Sequence, residues 1–426
     1  MPAQVLAAAI FLLTFALIAS ERVNRVLAAL LGASLVLVSG VLPQDEAFGF
    51  IDFNVVFLLV GTMTIASVLA KTGIFQWLGV EAIRRTRGDP YRLLLVVSAL
   101  TAVLSAFVNN ATTLVLLAPV TFYAADRLRV SPVPFLVSQV LASNIGGAAT
   151  LIGDPPNLLI GSAFGIGFAG FVTNALLPSA IALAAYLVQT RWLFARELRG
   201  VHGALPPAEI ERLVREERRV ARPRLLVVSV AVASLVLVAF TVSDPLGLRE
   251  ATIALAGATI LLIATRESLH EHLESVEWPL LLFFVGLFIV VGAVVKVGLV
   301  AHAAEALSTA IGGRNDVGRL IVLWSSGLFS AVIDNIPYTV AMIPLVREIG
   351  HTTDPAPLIW ALAFGANFGG NATIIGGAAN VVAAGLSEAR GHPITFRRWV
   401  GYGVPATALS LVVTSAYIWL RYAVVR

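Results

Sequence analysis

Long apolar runs separated by short polar stretches set the pattern of this chain. Runs of about 17 to 25 residues or more can cross a hydrocarbon core as helices. They fall at 4–20, 25–43, 53–80, 134–170 and 171–190, then at 224–242, 250–265, 278–305, 357–388 and 399–420. Between the third and fourth run of each set lies an apolar stretch with a polar centre, 92–125 and 317–346. Each arm of such a stretch is too short to cross alone, which predicts a re-entrant hairpin. The expected fold is an all-α polytopic membrane protein of two repeats. Each repeat has five spans, one re-entrant hairpin and a discontinuous helix.

Self-similarity supports the division. A shift of 225 residues lays SAFVNNATTLVLLAP (105–119) over SAVIDNIPYTVAMIP (330–344) and puts Gly61, Lys71 and Gly73 on Gly286, Lys296 and Gly298. A shift of 223 lays SNIGGAATLIGDPPN (143–157) over ANFGGNATIIGGAAN (366–380). Matches kept in order over three segments are an internal repeat. The expected organisation is an N-terminal repeat, 1–195, a charged cytoplasmic linker, 196–223, and a C-terminal repeat, 224–426.

Charge gives the orientation. Most of the 29 basic residues fall on one side of the predicted layout: Arg22, Arg25, Arg84, Arg85, Arg87, Arg92, Arg127, Arg129, the Arg cluster of 191–224, Arg266, Arg390, Arg397 and Arg398. Cytoplasmic loops carry such an excess, so that side is read as cytoplasmic and both termini as extracytoplasmic. Hairpin 92–125 then enters from the cytoplasmic side and hairpin 317–346 from outside. Five spans per repeat make the second copy inverted, and carriers of that build place their sites at the midplane between repeats.

Composition narrows the chemistry. The chain is 58% hydrophobic and 13% charged, with a mean hydropathy of +0.89, so lipid is the solvent for most of it. Absence of cysteine excludes disulfides, thiolate metal ligation and thiol redox catalysis. The basic residues form no single face, so nucleic acid is not an expected partner. No G-x-x-x-x-G-K-[ST] sequence is present, and transport is therefore expected to run on a gradient. No metal or cofactor site is expected, and no enzyme: there is no H-E-x-x-H and no nucleophile–base pair.

Paired glycines, asparagines and Pro155–Pro156 disfavour continuous helix through 143–157 and 366–380. Unwound backbone at membrane depth must be buried in protein or line a cavity. The candidate substrate and ion ligands follow: Asn109, Asn110, Thr112, Thr113, Asn144, Gly146, Gly147, Thr150, Asp154 and Asn157 in the first repeat. Those in the second repeat are Asp334, Asn335, Thr339, Asn367, Gly369, Gly370, Asn371, Thr373 and Asn380. Neutral groups dominate, and the packing alternative is that they only bind one another between helices. Asp154 and Asp334 are ionisable groups at membrane depth, which points to uptake of a proton or binding of a cation. They are not repeat equivalents, and each has a structural alternative as a turn or cap residue. Lys71 and Lys296 are equivalents at span ends, where snorkelling to the interface accounts for them.

The segments VLSAFVNNATT, NIGGAATLIGDPPN, SAVIDNIPYT and FGGNATIIGGAANVVAAG resemble the ion transporter superfamily of arsenite permeases, NhaD sodium/proton antiporters and divalent-anion/sodium symporters, most closely the arm with ArsB and the melanosomal P protein (pink-eyed dilution). The resemblance implies hairpin tips paired with unwound helices at the site. It further implies an elevator-like motion of the hairpin-bearing part against a homodimeric scaffold. The Ser-Asn-Thr tips of the sodium-coupled symporters are absent, Asn109-Asn110-Ala111-Thr112 and Asp334-Asn335-Ile336-Pro337 standing there instead. The expected function is inner-membrane efflux of arsenite or antimonite in exchange for H+, a soluble ATPase subunit being a conceivable partner. Sodium/proton antiport is the first alternative, with Na+ as the coupling ion, and transport of an inorganic anion or dicarboxylate is the second.

Overall fold

The computed structural model describes residues 3–20, 22–87, 89–198, 208, 210–212, 221–311, 315–351 and 354–424. Most of the expected linker, 196–223, lies outside them. The first half consists of α1 (Ala3–Ser20), α2 (Arg25–Val38), α3 (Gln44–Gly49), α4 (Phe53–Ala70), α5 (Ile74–Thr86), α6 (Pro90–Ser105), α7 (Asn110–Leu128), α8 (Val133–Gly147), α9 (Pro155–Phe164) and α10 (Phe168–Leu193). The second consists of α11 (Pro223–Thr241), α12 (Glu250–Thr265), α13 (Leu269–Glu274), α14 (Trp278–Lys296), α15 (Leu299–Ile311), α16 (Asn315–Ser330), α17 (Asn335–Ile349), α18 (Ala356–Gly369), α19 (Ala378–Ala389) and α20 (Phe396–Trp419). Single helical turns lie at Ala195–Leu198 and Ser243–Leu246, and a short π-helical end at Leu420–Val424.

Among the described residues α1, α4, α10, α11, α14 and α20 are long and apolar enough to span a membrane. Two expected spans are shorter than the apolar run. At 1.5 Å per residue, α2 is ~21 Å long against a hydrocarbon core of ~30 Å, and α12 is similar. Both are sheltered by a helix of the other half: α2 packs along α14, and α12 along α4. Small residues bring the backbones together there. A Cβ on Gly61 would lie 2.6 Å from the carbonyl carbon of Ala254, and one on the equivalent Gly286 would lie 2.8 Å from that of Ala29.

The predicted third spans of both halves are each two helices. Gly73 and Gly298, at φ +80° and +79°, occupy the left-handed region that side chains disfavour, so α4 turns into α5 and α14 into α15. α5 carries Arg84 and Arg85 in its last turn.

Helix pairs stand at both predicted hairpin positions, α6–α7 and α16–α17, although α7, at 19 residues and thus ~28 Å, is not the short arm expected there. Both predicted discontinuous helices form, broken between α8 and α9 and between α18 and α19. In each half the first hairpin arm lies along the first half-helix, α6 on α8 and α16 on α18. A Cβ on Gly146 would run into the Ala102 carbonyl oxygen, and one on Gly369 into that of Gly327. The second arms cross between halves: α17 packs on α9, and α7 on α19. Both hairpin tips thus reach the other half's break.

Candidate functional site

Each hairpin tip is a cap. Asn109 Oδ1 accepts from the backbone N–H groups of Ala111 (2.9 Å) and Thr112 (3.3 Å), and Asp334 Oδ1 accepts from that of Ile336 (3.0 Å). Such a bond satisfies a free donor in the first turn of the second arm. Capping uses one carboxylate oxygen only: the other, Oδ2, accepts from Arg25 Nη1.

The breaks are clamped by one amide each. Asn157 Nδ2 donates to the carbonyls of Gly147 (3.0 Å) and Thr150 (2.7 Å). Asn380 Nδ2 donates to those of Gly370 (2.6 Å) and Thr373 (2.7 Å). Carbonyls released by unwinding are thereby satisfied within protein, as a lipid setting demands. The break threonines tie to the adjoining hairpins: Thr150 donates to the Ala106 carbonyl and Thr373 to that of Ala331 (2.6 Å).

The two breaks then meet. Asn144 Nδ2 donates to Asn371 Oδ1 (2.8 Å) and Asn380 Oδ1 (3.2 Å), and Asn367 Nδ2 donates to Asn157 Oδ1 (2.7 Å). Asn371 donates onward to the Leu141 carbonyl at 3.2 Å. Asn110 Nδ2 reaches Asn144 Oδ1 at 3.0 Å, while its own Oδ1 accepts from Ser105. Asn335 Nδ2 reaches Asp154 Oδ2 at 3.3 Å.

These side chains enclose a cavity of about 30 Å³ lined by Asn109, Asn110, Asn144, Asp154, Asn335, Glu277, Arg25 and the start of α19. That is about the share of one water in the liquid. Asp154 stands at the N-cap of α9 without making a cap bond and is 5% exposed. Two wider spaces adjoin the small one. One, of about 310 Å³, runs from Asn109, Thr112, Pro155 and Glu277 to Lys71, Glu271 and His272. The other, of about 510 Å³, is lined by Arg25, Asp334, Ile333, Val23 and Ala378. Arg25 lines both the small cavity and this second vestibule.

The structure thus gathers Asn109, Asn110, Asn144, Asp154 and Asn335 at one cavity, with Thr112 facing the first vestibule. Asp334 faces the second. Asn157, Asn367, Asn371, Asn380, Thr150 and Thr373 form the polar framework behind it. Thr113 and Thr339 are fully buried and donate to backbone carbonyls of Val108 (3.4 Å) and Asn335 (2.7 Å). Gly147 and Gly370 offer the clamped carbonyls, and Gly146 and Gly369 provide the close approach of the hairpin arms.

Two charged residues were not among the expected ligands. Arg25, read from sequence as a loop charge, opens α2 beside the second hairpin tip, pairs with Asp334, and places its guanidinium 5.5 Å from the Phe283 ring centroid. Glu277, at the start of α14, lines the cavity as well. Depth in a folded protein is a tertiary property, and a span boundary alone does not reveal it. The one available signal was that Glu277 is the repeat equivalent of Asp52, which caps α4 through the Val55 N–H at 3.2 Å, whereas Glu277 makes no such bond.

Lys71 and Lys296 lie at helix ends as expected, and each finds acids of the opposite half. Lys71 Nζ is 2.6 Å from Glu271 and 3.0 Å from Glu267, and Lys296 Nζ is 2.7 Å from Glu46. Among the described residues no group of three or more His, Cys, Asp or Glu side chains could hold a metal ion.

Comparison with known proteins places this architecture. A family model described as CitMHS, citrate transporter, matches residues 15–365. A 46 kDa membrane protein of Mycobacterium leprae is 40% identical over 99% of both chains, and an uncharacterized transporter of Synechocystis sp. is 31% identical over 97% of this chain and 96% of its own. The P protein of Homo sapiens is 31% identical over 99% of this chain, which spans 60% of that protein. The YdaH transporter of Alcanivorax borkumensis superposes with a TM-score of 0.62 at 15% identity, covering 99% of each chain, a likeness of fold. The family resemblance read from the hairpin and break motifs holds, and the chain belongs to the CitMHS citrate-transporter family as a multi-pass membrane transporter.

Proposed function

We propose that the protein is a secondary active transporter that exports arsenite or antimonite in exchange for protons. The observation that carries this reading is the charge balance at the central cavity. Among the described residues the one cationic side chain on its wall, Arg25, is engaged by Asp334, and the wall's two acids are Asp154, whose partner is the Asn335 amide, and Glu277. A neutral trihydroxide suits donors and acceptors of amides and needs no free cation, and thiols are dispensable. Asp154 takes up the exchanged proton, with Asp334 as a second acid whose charge is balanced by Arg25. The cavity in this conformation is too small for either solute, so its size does not choose between arsenite and a tricarboxylate.

The repeated, half-crossing contacts support inverted repeats that exchange access by an elevator-like movement of the hairpins and broken helices against α1, α2, α4, α11, α12 and α14. Arginine distribution supports an inner-membrane orientation with both termini outside, once Arg25 is removed from the count, and a homodimer is part of the same reading. A second reading, transport of citrate or another organic anion, is favoured by the family description and by Arg25. Neutralising Asp334 would release a guanidinium suited to a carboxylate.

Uptake into everted vesicles separates the readings. With an imposed proton gradient, arsenite accumulates and is lost in Asp154→Asn. Citrate accumulation in place of arsenite establishes the second reading, and sodium uptake with proton release, without either solute, establishes sodium/proton antiport. Absence of arsenite accumulation overturns the lead.

A further inference from the structure

The two halves share a set of hydrogen bonds that fails at one place. Clamp for clamp, Asn157 matches Asn380, and Thr150 matches Thr373. In the first half the hairpin amide completes the set, Asn110 Nδ2 donating to Asn144 Oδ1 at 3.0 Å. The equivalent donor and acceptor in the second half are Asn335 Nδ2 and Asn367 Oδ1. There the bond is not made: Asn335 Nδ2 turns to Asp154 Oδ2, and Asn367 Oδ1 is buried without a hydrogen-bonding partner among the described residues. Asn367 is fully buried, and a buried acceptor left unpaired is costly. The cause of the asymmetry is visible in the repeat. Asp154 aligns with Gly377, so only the first half's break presents a carboxylate to the opposite hairpin tip.

We propose that Asn335 is a two-position amide switch, donating to Asp154 when that carboxylate is ionised and to Asn367 when it is neutralised. The proposal rests on Asp154 being the proton-coupled acid. Ionised Asp154 is the stronger acceptor and holds the second hairpin tip to α9. A proton on Asp154 weakens that bond, and the unpaired Asn367 oxygen offers Asn335 a replacement on α18, at the position its counterpart already occupies in the other half. The charge state of one acid is thereby converted into which half-helix the hairpin tip holds. The charged groups facing Asp154 are Arg25 from α2, Glu277 from the start of α14 and Asp334 from the tip itself; Asn335 is a positioning residue among them.

The test combines a pH profile with a double-mutant cycle. In vesicles, Asn367→Ala removes the acceptor that favours neutral Asp154, so the pH midpoint of transport falls, with apparent proton affinity reduced roughly fivefold for a bond of ordinary strength. Asn335→Ala removes the donor that favours the ionised form, and its midpoint moves the opposite way. In detergent, the melting losses of Asn335→Ala and Asn367→Ala add in the wild-type background at high pH. They become non-additive when Asp154→Ala sends Asn335 to Asn367. An unmoved midpoint in Asn367→Ala, or additivity in both backgrounds, overturns the switch. Persistence of the pH dependence in Asp154→Ala overturns instead the coupling role on which it rests.

Discussion

Lys71, at the end of α4 in the first half, lies 2.6 Å from Glu271 of the second half, and the repeat equivalents of the two residues, Lys296 and Glu46, pair at 2.7 Å with the halves exchanged. Each clasp joins an end of one half's long helix to a short helix of the other, α13 or α3. The sequence reading of the two lysines as snorkelling side chains accounts for their position but not for this reciprocal pairing. The first clasp is the more elaborate, because Glu267 adds a second carboxylate for Lys71, Arg222 lies 2.8 Å from Glu267, and buried His272 lies 3.3 Å from it.

The first clasp has a defined pH window. The Glu271 hydrogen bond is the chief cause that holds the Lys71 ammonium above its ordinary value, and the Lys71 hydrogen bond holds the Glu271 carboxyl below its own. Burial pushes Glu267 up, but bonds from Lys71 and His272 outweigh it and leave that carboxyl lowered as well. A lowered acid contributes stability above its unfolded value and loses it as pH falls through the folded one. A raised lysine contributes fully below its unfolded value and loses it as pH rises past the folded one. The clasp therefore holds from mildly acidic to strongly alkaline pH. Lys71→Gln should lower the melting midpoint in detergent across that window and converge with wild type below the lowered carboxyl values. The exchange Lys71→Glu with Glu271→Lys should recover part of the loss of Lys71→Glu alone.

Arg25 is expected to matter more than any surface arginine. Removing one partner of a fully buried ion pair costs ~3–5 kcal/mol because the other charge is left uncompensated. The cost here is smaller, since the Arg25 side chain is 35% exposed. Arg25→Gln should lower both stability and transport, and Arg25→Gln with Asp334→Asn should regain stability by removing both charges. Arg25→Lys should fold but transport poorly, because an ammonium does not reproduce the planar fork over Phe283. Thermal unfolding and vesicle uptake on the same preparations separate these effects.

How much was legible follows from where information sits in such a chain. The hairpins and breaks were readable because Gly-Gly, Asn and Pro-Pro inside apolar runs contradict continuous helix at any depth. The division at Gly73 and Gly298 was not, because a single glycine within an apolar run also occurs in unbroken spans. The amides of Asn144, Asn157, Asn367 and Asn380 were readable as a polar cluster, but not the split between cavity wall and framework. That split depends on which half-helix each amide faces across the interface. Arg25 was missed for the same reason: its approach to Asp334 spans 309 residues.

Close backbone approach predicts a symmetric sensitivity. Gly146 and Gly369 sit where a Cβ would enter the carbonyls of Ala102 and Gly327. Backbone cannot give way as a flexible side chain does, so Gly146→Ala and Gly369→Ala should each cost ~1–3 kcal/mol by overpacking. Gly385, with nothing within 4 Å of a Cβ, should accept alanine without loss. Melting midpoints of the three variants in one detergent decide the matter, and equal behaviour of all three would contradict the close packing of hairpin on half-helix.

The clamps offer the last prediction. Asn157 and Asn380 each satisfy two carbonyls of an unwound segment; Asn157→Ala strips the amide donor from the buried carbonyls of Gly147 and Thr150, whereas Asn380→Ala strips it from that of Gly370 and leaves the part-buried Thr373 carbonyl with the Gly376 N–H at 3.4 Å. At ~1–3 kcal/mol for each group left unpaired, either loss should be large, and a Leu replacement should not rescue it because the deficit is of donors and not of volume. Gln keeps the amide but displaces it by one methylene, so partial recovery is expected. The two sites should differ in function, however. Asn157 Oδ1 also accepts from Asn367, the residue facing the second hairpin, whereas Asn380 Oδ1 accepts from Asn144, whose own oxygen is already held by Asn110. Asn157→Gln should therefore disturb the pH profile of transport more than Asn380→Gln at comparable melting loss. Vesicle uptake across pH with both variants tests this, and identical profiles would show that the two halves' frameworks act alike despite the single acid between them.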